Sequence, residues 1–294
     1  MDPDRLIHKS IETIVSRSLK GGGFAQRQNG RFRPDATAWS ILALSAGNIC
    51  GNLVENGCIR LAASQLIDGR IPLAEDLEDA YWPTALAVLA WKSAGGFENE
   101  IKRAVEFLVK TSGLHFPREK NSPYGHDTAI RGWSWIENTH SWVEPTSMAI
   151  LALKATGNAG NDRAWEAVRM ILDRKLPAGG WNYGNTTVFN RELSPTPEHT
   201  GQALCALSGF VRHSEIAKSI DYLGKEISIL QTPLSLCWGL FGLGAWSVKI
   251  RDYRERILNS LLLQQRYGPY DTSLLSQLII AYNTEGNFPG LTAS

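Results

Sequence analysis

Carboxylate side chains recur at one place in a repeated phrase of this sequence. Asp35, Glu144 and Glu198 each stand two residues before a threonine. Carboxylates that meet in an apolar cavity lose solvation and repel one another, and both effects raise the pKa of some of them. One group can then donate a proton while another stays ionised, which is what acid–base catalysis requires. These three residues are the candidate catalytic residues; capping of a helix N-terminus is the simpler alternative for each.

Threonine also marks the start of a longer repeat in the chain. The copies run from Thr37, Thr84, Thr146 and Thr200, and two weaker copies run from Ser235 and Asp271. Each copy is apolar on nearly every side, and in the first four glycine follows shortly after. A segment of this kind predicts a buried helix of about 10–12 residues that ends at a left-handed glycine.

Amphipathic segments lie between the apolar copies and predict surface helices. They cover residues 5–19, 59–67, 101–110, 163–176, 214–227 and 254–265. Several end in a glycine–aromatic turn such as "GGGF" (21–24) or "GGW" (179–181). Six hairpins of this kind predict an all-α fold, an (α/α)6 toroid of buried helices inside an outer ring, in a single domain over 1–294. An open solenoid is the alternative. The longest connections, near 112–143 and 182–196, are interpreted as insertions.

The inner helices of such a ring run parallel, so their N-termini gather at one mouth. Aromatic faces there could bind a ligand or stabilise a cation, although turn aromatics also serve as struts between repeats. The candidate binding residues are Trp39, Trp82, Trp133, Trp135, Trp142, His199 and Asp271.

Composition limits the remaining classes of function. Thirty basic residues against 29 acidic ones leave a net charge of +1, which argues against a nucleic-acid partner. No apolar run is long enough to span a membrane, and the N-terminus does not resemble a signal peptide. The four cysteines are scattered, which predicts reduced thiols and a cytoplasmic protein. No spacing indicates a metal site or a phosphate loop, so neither metal nor cofactor is predicted.

The phrase "RAWEAVRMILDRKLPAGGW" (163–181) and the inner helices resemble the repeats of the squalene cyclase and protein prenyltransferase superfamily. The resemblance covers nearly the whole chain and implies an (α/α)6 toroid. "PDATA" (34–38) is similar to the short acid motif of the oxidosqualene branch. That match implies that Asp35 protonates a hydrophobic, isoprenoid-type ligand.

Three functions remain open at this point. The first is a terpenoid cyclase-like or isoprenoid-binding protein with a long apolar cavity. The second is a non-catalytic toroid that binds a ligand or a protein partner. The third is a carbohydrate-active (α/α)6 enzyme, in which paired carboxylates act as acid and base and tryptophans stack on sugars.

Overall fold

Six helices made almost entirely of buried residues form the centre of the protein. A computed structural model describes residues 3–119 and 122–292. The inner helices are α2 (Pro34–Ala46), α4 (Pro83–Ala94), α6 (Val143–Ala155), α8 (Pro197–Leu207), α10 (Pro233–Gly244) and α13 (Thr272–Asn283). The outer helices are α1 (Pro3–Ser16), α3 (Gly51–Ala63), α5 (Glu98–Lys110), α7 (Asp162–Asp173), α9 (His213–Glu226) and α11 (Tyr253–Leu262). A short α12 (Gln264–Tyr267) and a 3-10 helix (Pro289–Thr292) complete the helical elements of these residues.

The inner helices close into a ring. Each packs against the next in chain order, and α13 packs against α2 to join the two ends. The predicted all-α (α/α)6 toroid is therefore confirmed, and the open solenoid is excluded. The largest difference in a helix boundary is at α3, which begins at Gly51, whereas the amphipathic pattern predicted a helix over 59–67. The first half of α3, "GNLVEN", is polar and glycine-containing, so the apolar pattern does not reveal it.

The repeated threonine has a structural role in the first turn of four inner helices. Its hydroxyl accepts a hydrogen bond from the backbone N–H of the turn residue that precedes the helix. These bonds join Phe24 to Thr37 (2.8 Å), Ile71 to Thr84 (2.9 Å), Trp133 to Thr146 (2.9 Å) and Trp181 to Thr200 (3.0 Å). A Cβ atom at Gly132 would overlap the Thr146 hydroxyl, so the turn needs glycine next to its aromatic residue. The repeat thus specifies the hydrogen bond that joins each of these turns to its inner helix.

Two long connections meet beside the N-terminal ends of α6 and α8. Residues 111–142 lead into α6, and residues 174–196 lead into α8 and contain the hairpin β1 (Thr187–Val188) and β2 (Arg191–Glu192). The backbone N–H of Gly125 donates to the carbonyl of Thr187 at 3.0 Å and joins the two connections. Among the described residues, no helix combines the length and apolar character needed to cross a membrane.

Candidate active site

A cavity of about 210 Å³ opens where the N-termini of the inner helices converge. Asp35, Glu144 and Glu198 all line it, as the repeat predicted for acids in equivalent positions. A larger open groove of about 930 Å³ lies at the C-terminal ends of α4 and α6. The acids of that groove, Glu98 and Glu106, are exposed on the outer helix α5. Of these two cavities, the one at the N-terminal ends of the inner helices therefore gathers carboxylates in a partly desolvated environment lined by aromatic residues.

Asp35 is fully engaged by neighbouring protein groups. Arg33 binds it through two hydrogen bonds, from Nε to Oδ1 and from Nη2 to Oδ2, both at 2.9 Å. Gln26 Nε2 also donates to Oδ2 at 2.8 Å. Since both carboxylate oxygens already accept protein hydrogen bonds, Asp35 is poorly placed to deliver a proton to a ligand. Its geometry instead fixes the loop that precedes α2.

Glu144 has a different environment at the start of α6. The pKa of this carboxyl is raised to about 7, mainly by burial and to a smaller extent by the nearby charge of Glu198. A hydrogen bond from the Trp135 side chain acts in the opposite direction. Near neutral pH, Glu144 therefore carries a proton in a large fraction of molecules, which suits a general acid.

Glu198, at the start of α8, has 28% of its side chain exposed. Ser235 Oγ donates a hydrogen bond to Glu198 Oε2. His199 Nδ1 lies 3.8 Å from Glu198 Oε1 and 2.7 Å from Thr196 Oγ1. Burial lowers the pKa of His199, which favours a neutral imidazole near pH 7. The site thus pairs Glu144, whose carboxyl is desolvated, with a second glutamate, Glu198.

The predicted aromatic residues separate into two groups. Trp39, Trp82, Trp135 and His199 line the cavity, while Trp142 stacks on Trp135 with ring centroids 5.6 Å apart.

The structure does not bring Trp133 and Asp271 into the cavity. Trp133 is buried with its Nε1 donating to the Leu108 carbonyl at 3.0 Å, and the guanidinium of Arg163 lies 3.9 Å from its ring centroid. Asp271 caps α13, since its Oδ1 accepts a hydrogen bond from Leu274 N at 2.8 Å.

Several cavity residues escaped the sequence analysis. Gln202, Gln277 and Trp238 line the cavity although no repeat position marks them, and Ser235, the start of a weaker repeat copy, reaches the site through Glu198. The available signal was a glutamine inside an otherwise apolar inner helix, as in "TGQALCAL" (200–207) and "SQLII" (276–280). Within residues 3–119 and 122–292, no three or more His, Cys, Asp or Glu side chains are grouped as a metal site.

The raised pKa of Glu144 predicts a pH-dependent stability. The folded protein holds the Glu144 proton between about pH 4.5 and 7, where the unfolded chain has lost it. The stability contributed by this group therefore falls as pH rises through that window, by on the order of 3 kcal/mol. Urea unfolding of the wild type and Glu144→Gln at pH 5 and pH 7.5 measures the effect. Both proteins retain the other titrating groups, so an identical pH dependence in the two would contradict the assignment.

Comparison with known proteins identifies structural neighbours only. No protein-family model and no curated protein match the chain. An α-mannanase of glycoside hydrolase family 76 from Bacteroides thetaiotaomicron aligns with a TM-score of 0.61 at 9% identity, covering 98% of this chain and 96% of that one. An inactive α-1,6-mannanase variant from Salegentibacter, in complex with α-1,6-mannotriose, aligns at 0.57 and 11% identity, covering 96% and 99%. A Clostridium perfringens α-amylase aligns at 0.56 and 10%, covering 96% and 97%. At these identities the likeness shows the fold.

The resemblance to squalene cyclases and prenyltransferases is therefore wrong, and with it the terpenoid interpretation and the isoprenoid-type ligand. The matching toroids are mannanases and an amylase. The resemblance misled because "GGW" and the threonine of the repeat encode a turn that is hydrogen-bonded to a buried helix. A ring with another chemistry can use the same turn. The acid of "PDATA" is also held by Arg33 and Gln26.

Proposed function

We propose that this protein is a carbohydrate-active (α/α)6 enzyme that hydrolyses glycosidic bonds. The observation that carries the proposal is the pair of unlike carboxyl groups in one aromatic cavity. Glu144 is half-buried, and desolvation of its carboxyl raises the pKa to about 7, while 28% of the Glu198 side chain is exposed. A protonated and an ionised carboxyl group are the two components that most glycoside hydrolases use. The fold shared with mannanases and an amylase supports this class.

In the proposed reaction, Glu144 donates its proton to the glycosidic oxygen as the bond to the anomeric carbon breaks. The Glu198 carboxylate either attacks the anomeric carbon or removes a proton from the attacking water, and water completes the hydrolysis in both cases. The Ser235 hydroxyl orients Glu198 for this role. Trp39, Trp82 and Trp135 offer aromatic surface in the cavity for the apolar faces of sugar rings.

The proposed carboxyl pair differs from what the neighbouring mannanase suggests. The inactive Salegentibacter variant carries asparagine in place of two consecutive aspartates. The present sequence contains no two consecutive aspartates. The pair proposed here comes from separate helices, with Glu144 on α6 and Glu198 on α8.

A non-catalytic saccharide-binding toroid is the second candidate function. The cavity of about 210 Å³ is smaller than the roughly 300–1,000 Å³ of common ligand pockets. Such a volume suits one sugar ring more readily than a long oligosaccharide. Binding of a saccharide without hydrolysis would identify this function. A toroid of this kind could also bind a protein partner.

A cytoplasmic location is part of the proposal. All four cysteines are free thiols, and three of them are buried. This state fits a reducing compartment.

The test is incubation of the purified protein with neutral oligosaccharides in H₂¹⁸O, followed by mass spectrometry. The panel includes α-1,6-mannotriose and maltotriose, because structural neighbours include an α-1,6-mannanase and an α-amylase. We expect ¹⁸O in the new reducing end of at least one product. The double variant Glu144→Gln/Glu198→Gln should form none, while Glu106→Gln on the exposed face of α5 should behave as wild type. An absence of product from every sugar would contradict hydrolysis.

A further inference from the structure

Two glutamines face the cavity from inner helices that are otherwise apolar. Gln202 of α8 is 3% exposed and Gln277 of α13 is 6% exposed. Both line the same cavity as Glu144 and Glu198. Within the described ranges, no donor is positioned to hydrogen-bond with the Oε1 atom of either side chain. The cavity therefore has polar groups that the protein itself does not satisfy.

A buried amide oxygen without a partner lowers the free energy of unfolding, so proteins rarely keep one without a use. Leucine, isoleucine and alanine fill most neighbouring positions of α8 and α13 and would avoid this cost. Gln26, a third glutamine of the cavity, shows the contrast. It donates to Asp35 and Ser273 and accepts from Ser273 N, so its amide is committed to the protein. The Oε1 atoms of Gln202 and Gln277 are not committed to a protein donor among the described residues in this way.

The charges around the cavity indicate what kind of ligand these amides recognise. The guanidinium of Arg33, next to the site, is already bound to Asp35 through two hydrogen bonds. The pKa of His199 is lowered by burial, so its imidazole is predominantly neutral near pH 7. The Glu198 carboxylate would repel an acidic ligand, while Asp35 and Arg33 neutralise each other. An amide offers both a donor and an acceptor, which matches adjacent hydroxyl groups of a sugar ring.

We propose that Gln202 and Gln277 form the sugar-recognition surface of the cavity and select neutral pyranoses over acidic ones by hydrogen-bonding their hydroxyl groups. The inference rests on the proposed function, because it assigns the substrate class of the same site. It predicts that the two amides contribute to saccharide affinity and reduce the stability of the free protein.

The experiment uses Gln202→Met and Gln277→Met, which keep the side-chain length and remove the amide. Isothermal titration calorimetry with α-1,6-mannotriose, maltotriose and trigalacturonic acid measures affinity, and thermal unfolding without sugar measures stability. We expect affinity for the bound neutral sugar to fall about tenfold in each variant. The melting temperature should stay equal or rise, because an unpaired buried carbonyl is removed. A purely structural role for the glutamines would lower the melting temperature and leave affinity unchanged.

Gln65→Met is the matched control. Gln65 also has a buried Oε1 without a donor among the described residues, but it lies outside the cavity. Its Nε2 donates to the carbonyls of Gly69 and Glu100, both at 2.9 Å. This variant should therefore lose stability and keep wild-type affinity.

The outcomes separate this inference from the proposed function. Wild-type affinity in both cavity variants, or tighter wild-type binding of trigalacturonic acid than of the neutral sugars, would overturn the inference alone. Tenfold weaker binding in the variants, without hydrolysis by the wild type, would support it and remove only the catalytic proposal. A wild type that binds no saccharide of the panel would overturn both.

Discussion

Replacement of Glu144 by glutamine is expected to slow glycoside hydrolysis by about 10²–10⁴-fold, the usual contribution of a general acid. Glutamine keeps the shape of the side chain and has no proton of comparable acidity to give to the glycosidic oxygen. The quantity to measure is kcat/KM on an oligosaccharide that the wild type cleaves. Binding of that sugar should change much less, because Gln202, Gln277 and the cavity tryptophans remain.

The pH profile provides an independent check on the role of Glu144. Since its pKa is raised to about 7, the wild-type rate should decline as pH rises through 7 and the proton is lost. The residual activity of Glu144→Gln should lack that decline. Asp35→Asn is the comparison: we expect a smaller loss of rate and a loss of stability, because the Arg33 ion pair is broken. A larger loss of rate from Asp35→Asn than from Glu144→Gln would return the acid role to Asp35.

The sequence predicted where the acids lie but could not distinguish their chemistry. Asp35 and Glu144 occupy the same column of the repeat, and both reach the cavity. Their environments differ because Arg33 precedes Asp35 by two residues, whereas Trp142 precedes Glu144 by two. One acid therefore receives a guanidinium, while the other lies among aromatic rings and accepts from Trp135. A pKa depends on such neighbours, including groups brought in from other helices.

The fold was predictable for a reason that also limited the functional prediction. The turn, the threonine and the buried helix follow one another along the chain. A local sequence pattern is therefore enough to predict them. Trp133 illustrates the limit: it was a candidate ligand contact, yet its backbone N–H fastens the turn to Thr146. The amides of Gln202 and Gln277 reach the same cavity only when α8 and α13 enter the same ring. Contacts between helices that are distant in sequence bring the proposed active groups together. A local sequence pattern does not predict such contacts.

Gly201→Ala is expected to lower the free energy of unfolding by about 3 kcal/mol. Gly201 lies where α8 and α10 approach most closely, and a Cβ atom there would overlap the backbone carbonyl of Trp238. A Cβ built on Gly242 would likewise lie 2.6 Å from Gly201 Cα, so the two backbones are nearly in contact. Because backbone atoms are the obstacle, the helices have to separate, and no side-chain rotation relieves the overlap. Thermal unfolding should show a decrease of about 5–10 °C in melting temperature.

Gly224→Ala is the matched control, a helical glycine of the outer helix α9. An added Cβ there meets no atom within 4 Å, so the higher helix propensity of alanine should stabilise the protein by about 0.5–1 kcal/mol. Equal stability changes in the two variants would contradict close packing of α8 on α10. Glu198 lies three residues before Gly201 on α8, and its hydrogen-bond partner Ser235 lies on α10. Moving α8 away from α10 should therefore weaken the Ser235–Glu198 contact and lower activity even at temperatures where Gly201→Ala remains folded.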